Sequence, residues 1–140
     1  MIYCKILGIK ISNLTFNETI GFISKKISLD EKIHHTVVNA AKIVSMQTNK
    51  QLKKSVVEAD IINADGQAVV WASKFLGDPL PERVAGIDLM QSLVELCHKM
   101  DYKCFFLGAK HKIVKKVIDN FSEMYSSKII AGYHHGYFDK

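Results

Sequence analysis

The chain has 140 residues, enough for one domain with a real core and too few for two of ordinary size. A composition of 48% hydrophobic and 24% charged residues is that of a globular protein and excludes the disordered, collagen-like and low-complexity classes. The net charge of +5 comes almost wholly from lysine, Arg83 being the lone arginine, and this balance suits an anionic small ligand or an acidic membrane surface better than specific DNA reading, which favours arginine forks.

Residues 1–12 alternate apolar and polar around Gly8, which predicts a strand or tight hairpin. Lysines interrupt that stretch and no small-residue cleavage site follows, so it does not read as a signal peptide. Thr15 and Glu18 have capping-box spacing, and Phe16, Ile20, Ile23 and Ile27 share one helical face behind them. A β-rich run over 33–38 stops at Asn39, which caps a predicted helix over 40–47. A second helix covers 50–57, with Leu52 and Val56 inward. Residues 60–63 form a short strand that ends at Ala64-Asp65-Gly66, where the period turns helical through Val69, Val70, Ser73 and Leu76. Both prolines fall in 77–86, a predicted loop flanked by Gly77 and Gly86 with the composition of a mobile flap. A helix over 87–100, a strand over 103–107, a turn at Gly108, a helix over 110–125 and a strand over 128–131 complete the pattern. No apolar run reaches the roughly 18 residues of a membrane span.

Strands alternating with helices predict βαβ units. The expected class is α/β: a Rossmann-like, open, mostly parallel sheet with helices on both faces, in a single domain over 1–140. The final strand has no helix after it, and a parallel sheet wants both faces covered, so the domain is expected to be incomplete at its C-terminal side.

In such sheets ligands bind beyond the carboxyl ends of the strands. Four strand ends are candidates here: Asn39, Asp65-Gly66, Gly108 and Gly132. Each has an ordinary structural explanation too, because Asn and Asp cap helices and glycines make tight turns. Asp65 is the strongest candidate, since a carboxylate there can accept a proton from an attacking hydroxyl. Gly66 then opens a helix whose N-terminus favours anions. Arg83 can clamp a phosphate, or pair on the surface with Glu82 or Asp78.

The histidines at 34–35, 98, 111 and 134–135 form no chelating pair, because adjacent strand residues face opposite ways. There is no Asp-x-Asp, Walker A or GxGxxG sequence, and Leu107-Gly-Ala-Lys110 is only faintly a phosphate turn, so no metal and no cofactor are assigned. Cys4, Cys97 and Cys104 are odd in number without a CxxC, which reads as reduced thiols in a cytosolic protein.

Asn63-Ala-Asp-Gly-Gln-Ala-Val-Val-Trp-Ala-Ser73 and Leu80-Pro-Glu-Arg-Val-Ala-Gly-Ile-Asp-Leu-Met90 closely resemble the WecG/TagA/CpsF glycosyltransferases, glycosyltransferase family 26. Asn39-Ala-Ala-Lys-Ile-Val44, Phe105-Phe-Leu-Gly-Ala-Lys110 and Gly132-Tyr-His-His-Gly-Tyr-Phe138 match further blocks in order and spacing, so the resemblance covers essentially the whole chain. It implies an inverting, metal-independent transfer of an N-acetylhexosamine-type sugar, such as N-acetylmannosamine, from a UDP donor. The acceptor would be an undecaprenyl-diphosphate-linked sugar, at the cytoplasmic face of the membrane with peripheral contact, and the product would feed teichoic acid or other surface polysaccharide.

Carried over by the same resemblance, Asp65 is the general base. Asn39 matches a pocket asparagine and Arg83 the arginine of the Leu-Pro-Glu-Arg block, with Arg83 and helix N-termini suited to hold charge on the departing UDP; Thr36, Gly66, Gln67 and Gly108, at or beside the strand ends, are the other substrate-binding candidates. The chain departs from the pattern in two places. Val37-Val38-Asn39 stands where many members have Thr-x-Asn, with Thr36 one place away and facing the other side. Members of the family also run further, adding strands, helices and a basic C-terminal appendage.

Two other readings stay open. One is a truncated, non-catalytic remnant that folds and binds a nucleotide or a partner subunit. The other is nucleic-acid binding through the lysines, but these are scattered over several helices as solvated faces, so no nucleic-acid partner is expected. An uncovered sheet edge or apolar face would favour a homo-oligomer.

Overall fold

The computed structural model of the chain describes residues 2–138. It has two compact units, Met1–Leu89 and Met90–Lys140.

The first unit opens with a hairpin, β1 (Tyr3–Ile6) and β2 (Ile9–Ser12), paired antiparallel with Ile6 opposite Ile9. Its two turn residues, Leu7 and Gly8, both have positive φ, the geometry that matches the twist of a two-residue hairpin. Alternation sends Cys4, Ile6, Ile9 and Ile11 inward and leaves Lys5 and Lys10 outside. Helix α1 (Phe16–Ser28) starts at the expected capping box: Thr15 Oγ1 accepts from the Glu18 amide, and the Glu18 carboxylate accepts from the Thr15 amide. That reciprocal bond holds the Glu18 carboxyl below its usual range.

Strand β3 (His35–Val38) leads through α2 (Ala40–Ser45) and α3 (Lys50–Val57) to β4 (Ile61–Ala64), which pairs parallel with β3 in the register His35–Ile61, Val37–Asn63. Helix α4 (Gln67–Phe75) follows β4. All four β4 residues are buried, as in a strand covered on both faces. One face, with Val38, Ile62 and Ala64, shares a single apolar cluster with the hairpin and with Ile43, Val56, Val69 and Val70 of the helices. The Ile62 amide donates to Ser12 Oγ at 3.2 Å, tying the hairpin to β4.

The other face carries a buried polar chain. His35 Nε2 lies 2.9 Å from Asn63 Oδ1, Asn63 Nδ2 donates to Thr19 Oγ1 at 3.1 Å, and that hydroxyl donates to the Thr15 carbonyl at 2.9 Å. Asn63 and Thr19 are wholly buried, so each polar atom must find its partner inside. Burial pushes the His35 imidazole below its ordinary value; the bond to Asn63 opposes this and the charge of His34 adds to it. The folded chain therefore resists protonating this ring more than the unfolded chain does. Stability should fall as pH drops below the ordinary histidine value of about 6.5. His35→Gln should flatten that decline, which urea midpoints at neutral and mildly acidic pH would show.

The segment between α4 and the next helix is not a flap. Leu80, Val84 and Ala85 are buried, the Leu80 amide donates to the buried Ser73 hydroxyl, and the Val84 amide donates to the Ala64 carbonyl at 2.8 Å. Glu82 Oε1 accepts from the Phe16 amide at 2.6 Å, so the loop also closes the first turn of α1. Its proline and glycine content sets the turns, while its apolar residues anchor it.

Helix α5 (Gly86–Lys99) runs from the first unit into the second. The second unit adds β5 (Cys104–Leu107), α6 (His111–Met124), a 3-10 turn at Ser127–Ile129 and β6 (Ile130–His134). The last strand begins two residues later than the sequence pattern suggests, because Ser126 Oγ accepts from the Lys128 amide and winds the approach into the 3-10 turn. Strands β5 and β6 pair in parallel with a bulge at Cys104/Phe105. Their inner side packs Phe106 on Phe121, with Val94 and Ile129 alongside. A Cβ on Gly132 would lie 2.9 Å from the Phe105 ring, which accounts for a glycine there.

Cys4, Cys97 and Cys104 are free thiols. Burial, then the neighbouring Cys97 thiol, pushes Cys104 up to about 12, far from thiolate formation near neutral pH. Parallel strand pairs with flanking helices make this an incomplete α/β, Rossmann-like fold. Among the described residues no helix is long and apolar enough to cross a membrane.

Candidate active site

The carboxyl ends of β3 and β4 bring most of the candidate residues together. Asp65 follows β4, its amide bonded to the Val38 carbonyl at 2.8 Å, so its side chain leaves the sheet edge on the Asn63 side. Oδ2 accepts from the Gly86 amide at 3.1 Å, and Oδ1 faces Arg83, with Nη2 at 3.3 Å and Nε at 3.4 Å. The Asp65 side chain is 27% exposed and that of Arg83 51%. These ionic contacts are long for charged partners and half in solvent, so the pair is loose. Arg83 thus meets Asp65, while Glu82, one of its two alternative surface partners, is engaged at α1 instead.

Asn39 and Gly66 sit side by side, since a Cβ on Gly66 would touch Asn39 Cβ at 3.4 Å. The oxygen of Asn39 caps α2 by accepting from the Lys42 amide at 2.8 Å, leaving its Nδ2 as the group it can offer a ligand. Gly66 is the N-cap of α4, no side chain caps that helix, and Gln67 is its exposed first residue. Thr36 lies on the opposite side of β3 from Val37, where its Oγ1 accepts from Lys42 Nζ at 3.3 Å. Gly108 belongs to the second unit, at the end of β5, where its amide donates to the His134 carbonyl. Among the described residues no three His, Cys, Asp or Glu side chains converge as metal ligands would.

Three residues escape a reading of the sequence alone. Gly86 supplies the amide that orients Asp65; the only local hint is a glycine opening a helix after a proline-rich loop. Glu82 anchors the Arg83 loop on α1 across 66 residues. Lys42 donates to the Val37 carbonyl at 2.8 Å as well as to Thr36, fixing the end of β3. The Gly86 site is tight, because an added Cβ would lie 3.2 Å from Val37 Cγ2 and 3.5 Å from Asp65 Oδ2. Gly86→Val should push the carboxylate out of place and lower turnover by about a hundredfold, whereas thermal melting should show a far smaller change. Comparable losses in both would mean the glycine serves the fold alone.

A sequence model of the Glycosyl transferase WecG/TagA/CpsF family matches residues 4–140. Over 136 residues the chain is 32% identical to an N-acetylglucosaminyldiphosphoundecaprenol N-acetyl-beta-D-mannosaminyltransferase of Staphylococcus aureus, covering 96% of this chain and 53% of that protein. A protein of the same name from Bacillus spizizenii is 35% identical over 89 residues, covering 64% of this chain and 35% of the relative. The chain spans about half the length of the Staphylococcus relative. The blocks that resemble the family include the segments that place Asp65, Arg83 and Gly86 around one strand end, and the chain belongs to the Glycosyl transferase WecG/TagA/CpsF family.

Proposed function

We propose that the chain is part of an inverting, metal-independent glycosyltransferase. It would move an N-acetylmannosamine-type sugar from a UDP donor to an undecaprenyl-diphosphate-linked acceptor for teichoic acid or a related surface polymer. Residues 1–140 then form the N-terminal part of one family domain, working at the cytoplasmic face of the membrane. The observation that carries this reading is the Asp65 carboxylate, oriented by the Gly86 amide and faced by the lone arginine of the chain. The names of the two relatives supply the substrate class.

In this mechanism Asp65 takes the proton of the acceptor hydroxyl while that oxygen bonds to the anomeric carbon. The bond from that carbon to the UDP oxygen breaks on the opposite side, and the electron pair leaves with UDP. Asp65 Oδ1 is covered by Arg83 in the structure, and Oδ2 is bonded to Gly86. Donor binding resolves this: the diphosphate draws the loosely held guanidinium onto itself, which uncovers Oδ1 and places a cation where negative charge develops. Gly86 keeps the carboxylate in place during the exchange. The uncapped N-terminus of α4 and the Nδ2 of Asn39 are further donors for the sugar or phosphate.

UDP release in the presence of lipid-linked acceptor tests this reading, with the native chain compared with Asp65→Asn. Equal turnover would remove the base. A second reading, nucleotide binding without turnover, is favoured by Asp65 itself, whose Oδ1 faces Arg83 and whose Oδ2 accepts from the Gly86 amide, so that both oxygens are already engaged. UDP titration separates it: saturable binding with no release of UDP from donor supports that reading against the first.

A further inference from the structure

Helix α5 and strand β5 each bring a cysteine to the same place in the second unit. Val94 is buried with Phe121 and Ile129, and Cys104 packs against that cluster from the first position of β5. Cys97 follows Val94 by three residues, so it stands on the same face of α5, one turn nearer the helix end. The helix closes directly behind it: Asp101 has a φ of 59°, and the Tyr102 amide donates to the Cys97 carbonyl at 2.9 Å. This closing motif turns the chain back along the last helical turn, and two residues later Cys104 arrives beside Cys97. Burial first, and then the bond to the Cys97 thiol, keeps Cys104 protonated.

These two thiols are half-buried, whereas Cys4 of the first unit is 1% exposed. None of the three takes part in the proposed transfer. A half-buried thiol can be reached by a small reagent, and a second thiol beside it can resolve what forms there.

We propose that Cys97 and Cys104 are a modification site, a dithiol that closes to a disulfide by exchange with a low-molecular-weight disulfide such as glutathione disulfide. Cys97 reacts first, because Cys104 is held as the thiol. Cys97 gives its proton to solvent and its sulfur bonds to one sulfur of glutathione disulfide. The glutathione S–S bond breaks, and one glutathione leaves as the thiolate and takes up a proton. With glutathione on Cys97, the part of the Cys104 shift owed to the Cys97 thiol is gone. Cys104 then loses its proton and bonds to Cys97 Sγ, and the second glutathione leaves in the same way. The protein pair is oxidised by two electrons, and glutathione disulfide is reduced to two thiols. The new bond ties the last turn of α5 to the first residue of β5, the strand that leads to Gly108. This inference stands apart from the transferase reading.

The full chain is incubated natively with enough glutathione disulfide to modify the urea-unfolded chain completely, then alkylated in urea and digested with trypsin. Cleavage after Arg83, Lys99, Lys103 and Lys110 leaves Cys97 in residues 84–99 and Cys104 in residues 104–110. The expected product is these two peptides joined, lighter by two hydrogens and parted by dithiothreitol, with Cys4 alkylated. In Cys104→Ser, Cys97 should retain glutathione. In Cys97→Ser, Cys104 should react about tenfold more slowly than Cys97 does in the native chain. Circular dichroism checks that both variants are folded. A native chain that keeps glutathione on Cys97, keeps both thiols free or links two chains through these cysteines overturns the proposal. Cys104 reacting as fast in Cys97→Ser as Cys97 does in the native chain overturns the order of attack.

Discussion

Asp65→Asn is expected to lower turnover by about 10²–10⁴-fold, the range for removal of a positioned general base. The amide has the shape of the carboxylate and can still accept from the Gly86 amide, so the strand end keeps its geometry. It cannot take the acceptor proton. Losing the charge opposite Arg83 should change stability little, because that contact is long and half exposed. UDP affinity should hold or rise, since Arg83 no longer has to leave a carboxylate to reach the diphosphate. Steady-state UDP release and a UDP titration on the same variant read both quantities. A fall in turnover with binding preserved marks a base, whereas an equal loss of both would assign Asp65 to binding only.

The second large effect is on stability. Asn63→Ala should destabilise the chain by about 3 kcal/mol, combining a cavity at a wholly buried position with a half-buried His35 ring nitrogen stripped of its partner. Thr19 suffers less, because its hydroxyl still donates to the Thr15 carbonyl. The urea midpoint measures the loss. His35→Phe combined with Asn63→Ala should cost less than the two single changes added together, since the histidine nitrogen is then no longer there to be orphaned. Strict additivity would show that the two side chains do not support one another.

What could be read from the sequence was local in origin. The Thr15–Glu18 box, the Asn39 cap and the helix at Lys50–Val57 depend on residues within one or two turns, and all three are present as expected. Asp65 stood out because the strand-to-helix change of period falls on it. Contacts between distant residues were not legible. Nothing near Glu82 points to the Phe16 amide, and nothing near Gly86 points to a carboxylate 21 residues earlier. Residues 77–85 are the loop that the prolines and glycines predict, but not a mobile flap, for a related reason: Pro and Gly show that a segment turns, not whether Leu80 and Val84 between them are buried. The late start of β6 turns on one serine hydroxyl, a detail below the resolution of periodicity.

The bond from Glu82 to the opening amide of α1 makes the two ends of the first unit interdependent. The arginine next to Glu82 owes its perch partly to a helix whose sequence contains no active-site residue. Damage near Phe16 should therefore mimic damage near Arg83, and a screen for inactive variants would gather hits at both places. An engineer grafting the Asp65 region onto another scaffold would have to bring α1 along, although it lies far upstream in the chain.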